Sequence, residues 1–243
     1  MKNLGKIILI FAVTILAWFL FALFYNHPTV PSPFEVIANV ATEMGNDLFI
    51  NVLYSGTRIF IASFFAVIIG VPLGIAMGYK ETWNRWVSPM IYFSYPIPKL
   101  ALLPILMLLF GLGEVSKLLM IFMIIFFPVV MDVAAGVKSM DKEPFEVLKS
   151  YGISGKTICT HVVFPGVLPS IFNSLKVTTG IALSVLFFAE NYGTTRGMGY
   201  YIMNSWQKMD YVDLYTGVLV LSIFGFIIFC FIDFLERKLT QWK

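Results

Sequence analysis

Residues Glu146 to Pro165 read EVLKSYGISGKTICTHVVFP, and inside them Gly155-Lys156-Thr157 has the ending of a phosphate-binding loop. Such a loop runs G-x-x-x-x-G-K-[ST], follows a buried strand and opens a helix. Counting back from Gly155 puts Ser150 where the first glycine belongs. Upstream, DKEPFEVLKSY has helical character. Pro144 suits a first helical turn, and Glu143 and Glu146 lie near the positive N-terminal end. No later apolar strand ends in an aspartate that would hold magnesium. The stretch therefore predicts two short helices rather than a nucleotide site: 144–151, a turn at Gly152, and a second helix N-capped by Ser154. Pro165 is expected to end that second helix.

The surroundings of this hairpin are a membrane protein's. Of 243 residues, 58% are hydrophobic and 13% charged, with 24 Phe and 12 Met. A soluble domain is about a quarter charged, so the solvent implied is a bilayer. Apolar runs, set against the roughly 20 residues a span needs, predict an all-α polytopic chain with about six transmembrane helices, the fourth and fifth runs being only the cores of their spans. The runs are 7–25, 59–79, 86–113, 118–131, 177–189 and 214–232, the fifth starting back toward Ile171. The first is longer than a signal peptide's apolar region and lacks a small-x-small cleavage site, so it reads as a retained helix. Gly70, Gly74 and Gly78 repeat at a spacing that lets helices approach closely in lipid. The third run is interrupted by Pro96, Pro98, Lys99 and Pro104.

Basic residues orient the chain. With both termini cytoplasmic, the inner segments hold Lys2, Lys6, Lys80, Arg85, Lys138, Lys142, Lys149, Lys156, Lys176, Arg237, Lys238 and Lys243. The outer ones hold Arg58, Lys117, Arg196 and Lys208, while Lys99 falls within a span. The hairpin is thus expected on the cytoplasmic side. The organisation predicted is an N-terminal transmembrane helix (1–27), a periplasmic interfacial segment (28–54) and a core (55–243) with a cytoplasmic loop at 138–166. FEVIANVATEM (34–44) reads as a short interfacial helix.

Composition and motifs exclude several classes. Cys159 and Cys230 form no metal spacing, and Cys230 is expected as a small core residue. His27 and His161 are isolated, so neither a metal centre nor a histidine-based catalytic group is expected. No basic, aromatic-interleaved polar domain points to nucleic acid. No internal repeat suggests an inverted-repeat transporter. A membrane enzyme would need a cluster of catalytic groups, and none is visible.

The quoted stretch resembles the coupling loop of ABC importer permeases, E-A-A, three residues, G, nine residues, I-x-L-P. Glu146, Gly152 and Pro165 stand at the E, G and P with every interval intact. Val147 and Leu148 replace the alanines, and Val162 and Phe164 stand at the I and L positions. The rest of the chain, from about Pro31, is similar to the nitrate/sulfonate/taurine-type branch. The matching pieces are PSPFEV, SGTRIF, PIPKLALLPILMLLFGLGEVSK, FFPVVMDVAAGVKSM, AEN and GMGYYI, in order.

The resemblance implies a type I ABC importer permease fold in a bacterial or archaeal inner membrane. It implies a homodimer on two cytoplasmic ATPase subunits, with a periplasmic binding protein delivering a small solute. This subunit would be no enzyme and carry no cofactor, with ATP and magnesium belonging to the partner ATPase. It also implies that Glu146, Lys149 and Lys156 make polar contacts to the ATPase, while Ile153, Ile158 and Val162 seat in its apolar groove. Gly152 would provide the turn and Pro165 the stop. For the substrate pathway the candidates are Pro96, Pro98, Lys99, Pro104, Arg58 and Glu190. Arg58 and Glu190 also suit a structural ion pair, and 110–113 an outer gate. The small solute is expected to be an anion. A stand-alone channel or secondary transporter is the alternative class and gives the hairpin no role.

Overall fold

Prolines, positive-φ turns and capping side chains set where several helices of this chain begin and end. The computed structural model describes residues 4–45, 47–141 and 143–241. Lys2, Lys142 and Lys243 lie outside the described residues, as does the side chain of Lys149. Every regular element among the described residues is helical.

Helix α1 (Leu4–Tyr25) runs without a breaker until Asn26, at φ 44°, with Pro28 just beyond. Helix α2 (Pro33–Glu43) opens with a capping box: Ser32 accepts from the Glu35 amide and Glu35 accepts from the Ser32 amide at 2.9 Å. Helix α3 (Asp47–Tyr79) follows, then α4 (Glu81–Ser94). Pro96 and Pro98 have no amide to donate, so the chain breaks there. It resumes as a 3₁₀ turn (Lys99–Leu102) and α5 (Leu103–Phe110), bent by 83° from α4. Helix α6 (Glu114–Lys138) has Glu at its start and Lys at its end, as the helix dipole favours.

Helices α7 (Glu143–Ser150) and α8 (Gly155–Ile158) form the hairpin. Beyond a π turn (Cys159–Val163) come α9 (Phe164–Glu190), α10 (Met198–Gln207) and α11 (Tyr211–Leu239).

Six spans are expected from sequence. Among the described residues, four helices are long and apolar enough to cross a membrane: α3, α6, the continuous 155–190 helix and α11. The bent pair α4 and 3₁₀–α5 makes a fifth if counted as one, and α1 contributes the apolar stretch Leu9–Tyr25.

One expectation is corrected here. Pro165 does not end the second hairpin helix; the helix runs unbroken from Gly155 to Glu190. The π turn just before Pro165 explains this. The Phe164 amide reaches five residues back to the Cys159 carbonyl, so the ladder shifts by one residue ahead of the proline. Pro165 then sits in the first turn of α9, where an amide is not required.

Two compact units emerge. One comprises residues up to Ser55 and 194–224. Leu48, Met198, Tyr201 and Val220 form its core, with Val40, Val52 and Leu221 against them. Trp18 stacks on Tyr215 at 5.9 Å, and Asn39 donates to Asp213 at 2.7 Å and to Thr216 at 3.1 Å. Asn51 Oδ1 and Ser55 Oγ accept from the Gly197 and Met198 amides, both at 2.8 Å, satisfying the first donors of α10.

The second unit comprises 56–193 and the end of α11 from Gly225. Its centre is α6 against α9. The buried face of α6 repeats at Ile121, Ile125, Val129 and Val133, and that of α9 at Val167, Ile171, Thr178, Ala182 and Val185. The Gly70–Gly78 edge of α3 lies directly on α6. A Cβ at Gly74 would stand 2.8 Å from the Val130 carbonyl, and one at Gly78 would stand 2.5 Å from Val137 Cβ. Lipid supplies no hydrophobic drive between helices, so this close van der Waals approach is what holds them.

Candidate functional site

The hairpin is built by its turn. Gly152 takes φ +74°, and the Ile153 amide donates back to the Leu148 carbonyl at 3.2 Å, the six-to-one bond of a Schellman ending. Ser154, in extended backbone, accepts from the Thr157 amide at 3.2 Å and so starts α8. Phe145 meets Tyr79 of α3 edge-on, with ring centroids 6.2 Å apart, tying α7 to the end of a span.

Exposure sorts the predicted docking residues. Glu146, Gly152 and Lys156 are exposed, and Ile153, Val162 and Pro165 are half-buried. Ile158 is 1% exposed and packs inside this chain, so it offers nothing to a partner. Its burial follows from its position at the end of α8, where the helix turns into the span. The apolar surface the hairpin does present is Val147 and Tyr151, which sequence reading did not single out. Tyr151 directly precedes the glycine turn, and this was the available signal.

A second constellation lies in the same unit. Arg58 of α3 is 2% exposed and donates from Nη1 to Glu190 Oε1 of α9 at 2.6 Å. It also grips Glu114, the first residue of α6, through Nε and Nη2 at 2.7 and 2.6 Å. This fork-to-carboxylate geometry suits arginine and not lysine. Three helices thus meet on one guanidinium. Glu190 is fully buried, whereas the Glu114 side chain is 53% exposed, so the cluster has one dry and one wet side.

Glu114 was not picked out from sequence. Its acidic N1 position was visible, but the 56-residue separation from Arg58 was not. Lys117, one turn further, is fully buried. Its Nζ donates to the Leu112, Gly113 and Gly193 carbonyls at 2.6, 3.1 and 3.4 Å. It thereby staples the 110–113 segment to the chain end of α9.

Lys99 sits at the break between α4 and α5. Its Nζ donates to the Tyr95 carbonyl at 2.7 Å and lies 4.9 Å from the Phe127 ring centroid. Nζ also reaches the Ser94 carbonyl at 3.4 Å, which Pro98 four residues on cannot serve, so the cation caps the end of α4. Pro96 and Pro98 form the break itself and Pro104 lies in the first turn of α5. Arg58 and Glu190 are brought together; Lys99 and the prolines form a separate locus. Cys230, expected as a core residue, is exposed on α11, because that helix buries little of its surface. Among the described residues no three His, Cys, Asp or Glu side chains gather as metal ligands.

Among the described residues the chain is an all-helical bundle carrying a charged hairpin between two membrane-length helices, an arrangement that suits a transport-system membrane component. The family comparison agrees: residues 70–241 match the family described as binding-protein-dependent transport system inner membrane component, and this chain belongs to it. It is 35% identical to the taurine transport system permease protein of Escherichia coli (strain K12) over 219 residues, 88% of this chain and 80% of that one. A Bacillus subtilis (strain 168) permease protein named for aliphatic sulfonates transport is 31% identical over 175 residues, covering 72% of this chain and 63% of its own. Among solved structures, the MetNI methionine ABC transporter in an inward-facing conformation superposes with TM-score 0.62 at 18% identity, over 80% of this chain and 96% of that one. This last likeness concerns the fold alone.

Proposed function

We propose that this chain is the transmembrane subunit of an ATP-binding-cassette importer that admits a small anion of the sulfonate type. Two copies would line the pathway, two cytoplasmic ATPase subunits would dock on the loops at 138–166, and a binding protein would deliver solute on the outer face. Residues 1–27 would form the N-terminal transmembrane helix and 28–54 the periplasmic interfacial segment, in a bacterial or archaeal cytoplasmic membrane. ATP hydrolysis belongs to the partner, and this subunit needs no cofactor.

The observation that carries the reading is the hairpin: a helix pair held at a positive-φ glycine, continuous through 155–190 with a membrane-length helix. Movement of the hairpin is thus transmitted rigidly to α9 and, through Glu190, to Arg58 on α3. Glu146, Lys149 and Lys156 supply polar contacts to the ATPase. Val147 and Tyr151, with Ile153 and Val162 beside them, supply the apolar ones. The similarity to the taurine and sulfonate permeases supports the choice of solute. Pro96, Pro98, Lys99 and Pro104 form irregular backbone of the kind tolerated in a membrane only inside protein or beside a water-filled path. They are assigned to the pathway, as are Arg58 and Glu190 at its outer end and 110–113 at its gate.

The test is reconstitution in liposomes with the genomically adjacent ATPase and binding protein. Uptake of a labelled alkanesulfonate, a net anion where taurine is a zwitterion, is expected only with ATP inside and binding protein outside. Glu146→Lys or Gly152→Pro should release the ATPase on co-purification while the protein still inserts. Uptake by the isolated chain without ATP would instead establish a channel or secondary transporter.

A further inference from the structure

A groove of about 930 Å³ runs between the second half of α3 and the α8–α9 helix, within the unit built on α6 and α9. That is the upper end of the range for small-molecule sites, roughly 300–1,000 Å³. Its walls are Val71, Ile75, Phe164, Leu168, Ile171 and Phe172. Polar side chains gather at one end, where Lys80 and Lys156 are both exposed and their ammonium groups have no hydrogen bond or ion pair among the described residues.

The dimensions match a leaflet. The α3 wall runs from Val67 to Lys80, 13 residues apart in sequence, or about 20 Å at 1.5 Å per residue. One leaflet's hydrocarbon is half of about 30 Å, which leaves the lysines at headgroup level. A small polar solute gains nothing from walls of this kind. Two cations without a partner among the described residues, at a single end, call for an anionic group there and an apolar chain behind it. Half-exposed Ile68 and Phe164 leave the groove open from the side.

We infer that this groove holds an acyl chain of an anionic phospholipid from the leaflet on the hairpin's side, with its phosphate at Lys80 and beside Lys156, whose three ammonium donors leave room for an ATPase contact as well. The lipid bridges the end of α3 to the first turn of α8. It therefore touches the start of the continuous 155–190 helix, through which hairpin movement reaches α9. The inference rests on the membrane placement of α3 and α9 and not on the identity of the solute or the ATPase.

The experiment is native mass spectrometry of the purified chain equilibrated with equal amounts of phosphatidylglycerol and phosphatidylcholine. Phosphatidylglycerol adducts should predominate. Lys80→Ala should weaken them about fivefold, the loss expected for one surface lysine. Ile68→Trp and Ala76→Trp should abolish them by filling the groove, with the melting temperature of each variant checking that it folds. Lys80, Ile68 and Ala76 lie outside the hairpin, so lipid retention is read independently of ATPase docking. Equal retention of both lipids, or adducts unchanged in the folded tryptophan variants, would overturn the assignment. So would a disulfide between two Ile68→Cys protomers, which would make the groove a subunit interface.

Discussion

Arg58 Nη1 and Glu190 Oε1 lie 2.6 Å apart with side chains 3% and 0% exposed, joining α3 to α9 across 132 residues of sequence. Removing Arg58 takes the guanidinium from the buried Glu190 carboxylate, and breaking a buried pair in this way costs about 3–5 kcal/mol; removing Glu190 leaves Arg58 still held by Glu114 and costs less. Arg58→Met should therefore lower the melting temperature in detergent sharply, and Glu190→Gln by a smaller amount. The double variant Arg58→Met/Glu190→Met should recover at least half of the loss, since Glu114 can turn its exposed carboxylate to water. Silent single variants would remove the pair's structural role.

At Gly78 a Cβ would meet Val137 Cβ at 2.5 Å and the Ala134 carbonyl at 2.9 Å, both on a packed helix. Gly78→Ala should destabilise by roughly 1–3 kcal/mol through overpacking. Gly180→Ala on α9 faces open space and serves as the control, neutral or slightly stabilising. A thermal shift assay comparing the two suffices, and an equal response would contradict the close α3–α6 approach.

Gly152 has room for a side chain but not the backbone for most of them, at φ +74°. Asparagine visits this region readily, whereas a β-branched residue is strained by about 1–2 kcal/mol. Gly152→Asn should therefore keep the ATPase on co-purification and Gly152→Val should lose much of it. Equal retention would mean that the turn geometry does not matter for docking.

Tyr201 is 8% exposed and its phenol finds no partner at hydrogen-bonding geometry among the described residues, although the Asp213 carboxylate lies close by. Burial first, and then the carboxylates of Asp213, Glu43 and Asp210, pushes the phenol well above its ordinary value. The unfolded chain releases this proton near pH 10 and the folded one does not. Stability from this group is thus intact below about pH 10 and falls as pH rises beyond it. Tyr201→Phe should flatten that alkaline decline and leave neutral-pH stability unchanged or higher, because no bond is lost. An unaltered alkaline unfolding curve in the variant would refute the assignment.

The hairpin was legible because its signals are local. Gly152, Ser154 and Pro144 each act on backbone within a few residues, and the interval from Glu146 through Gly152 to Pro165 survives without tertiary context. The misreading of Pro165 is also local in origin. A proline normally ends a helix, and the π turn that absorbs it leaves no mark in composition. Ile158 shows the other limit, since an apolar residue in a surface loop can face a partner or its own chain, and only packing tells which.

The sequence by itself determined a helical membrane protein with a capped, glycine-turned loop between two spans, because apolar length, helix punctuation and basic-residue placement are properties of contiguous residues. Only the tertiary structure decided that Arg58 holds Glu114 and Glu190 together, that Lys117 closes on three carbonyls, and that α3 and α9 enclose an apolar groove with two lysines at its mouth. Those relationships depend on which faces of distant helices meet, and helix faces that are apolar all round carry no periodic signal to say so.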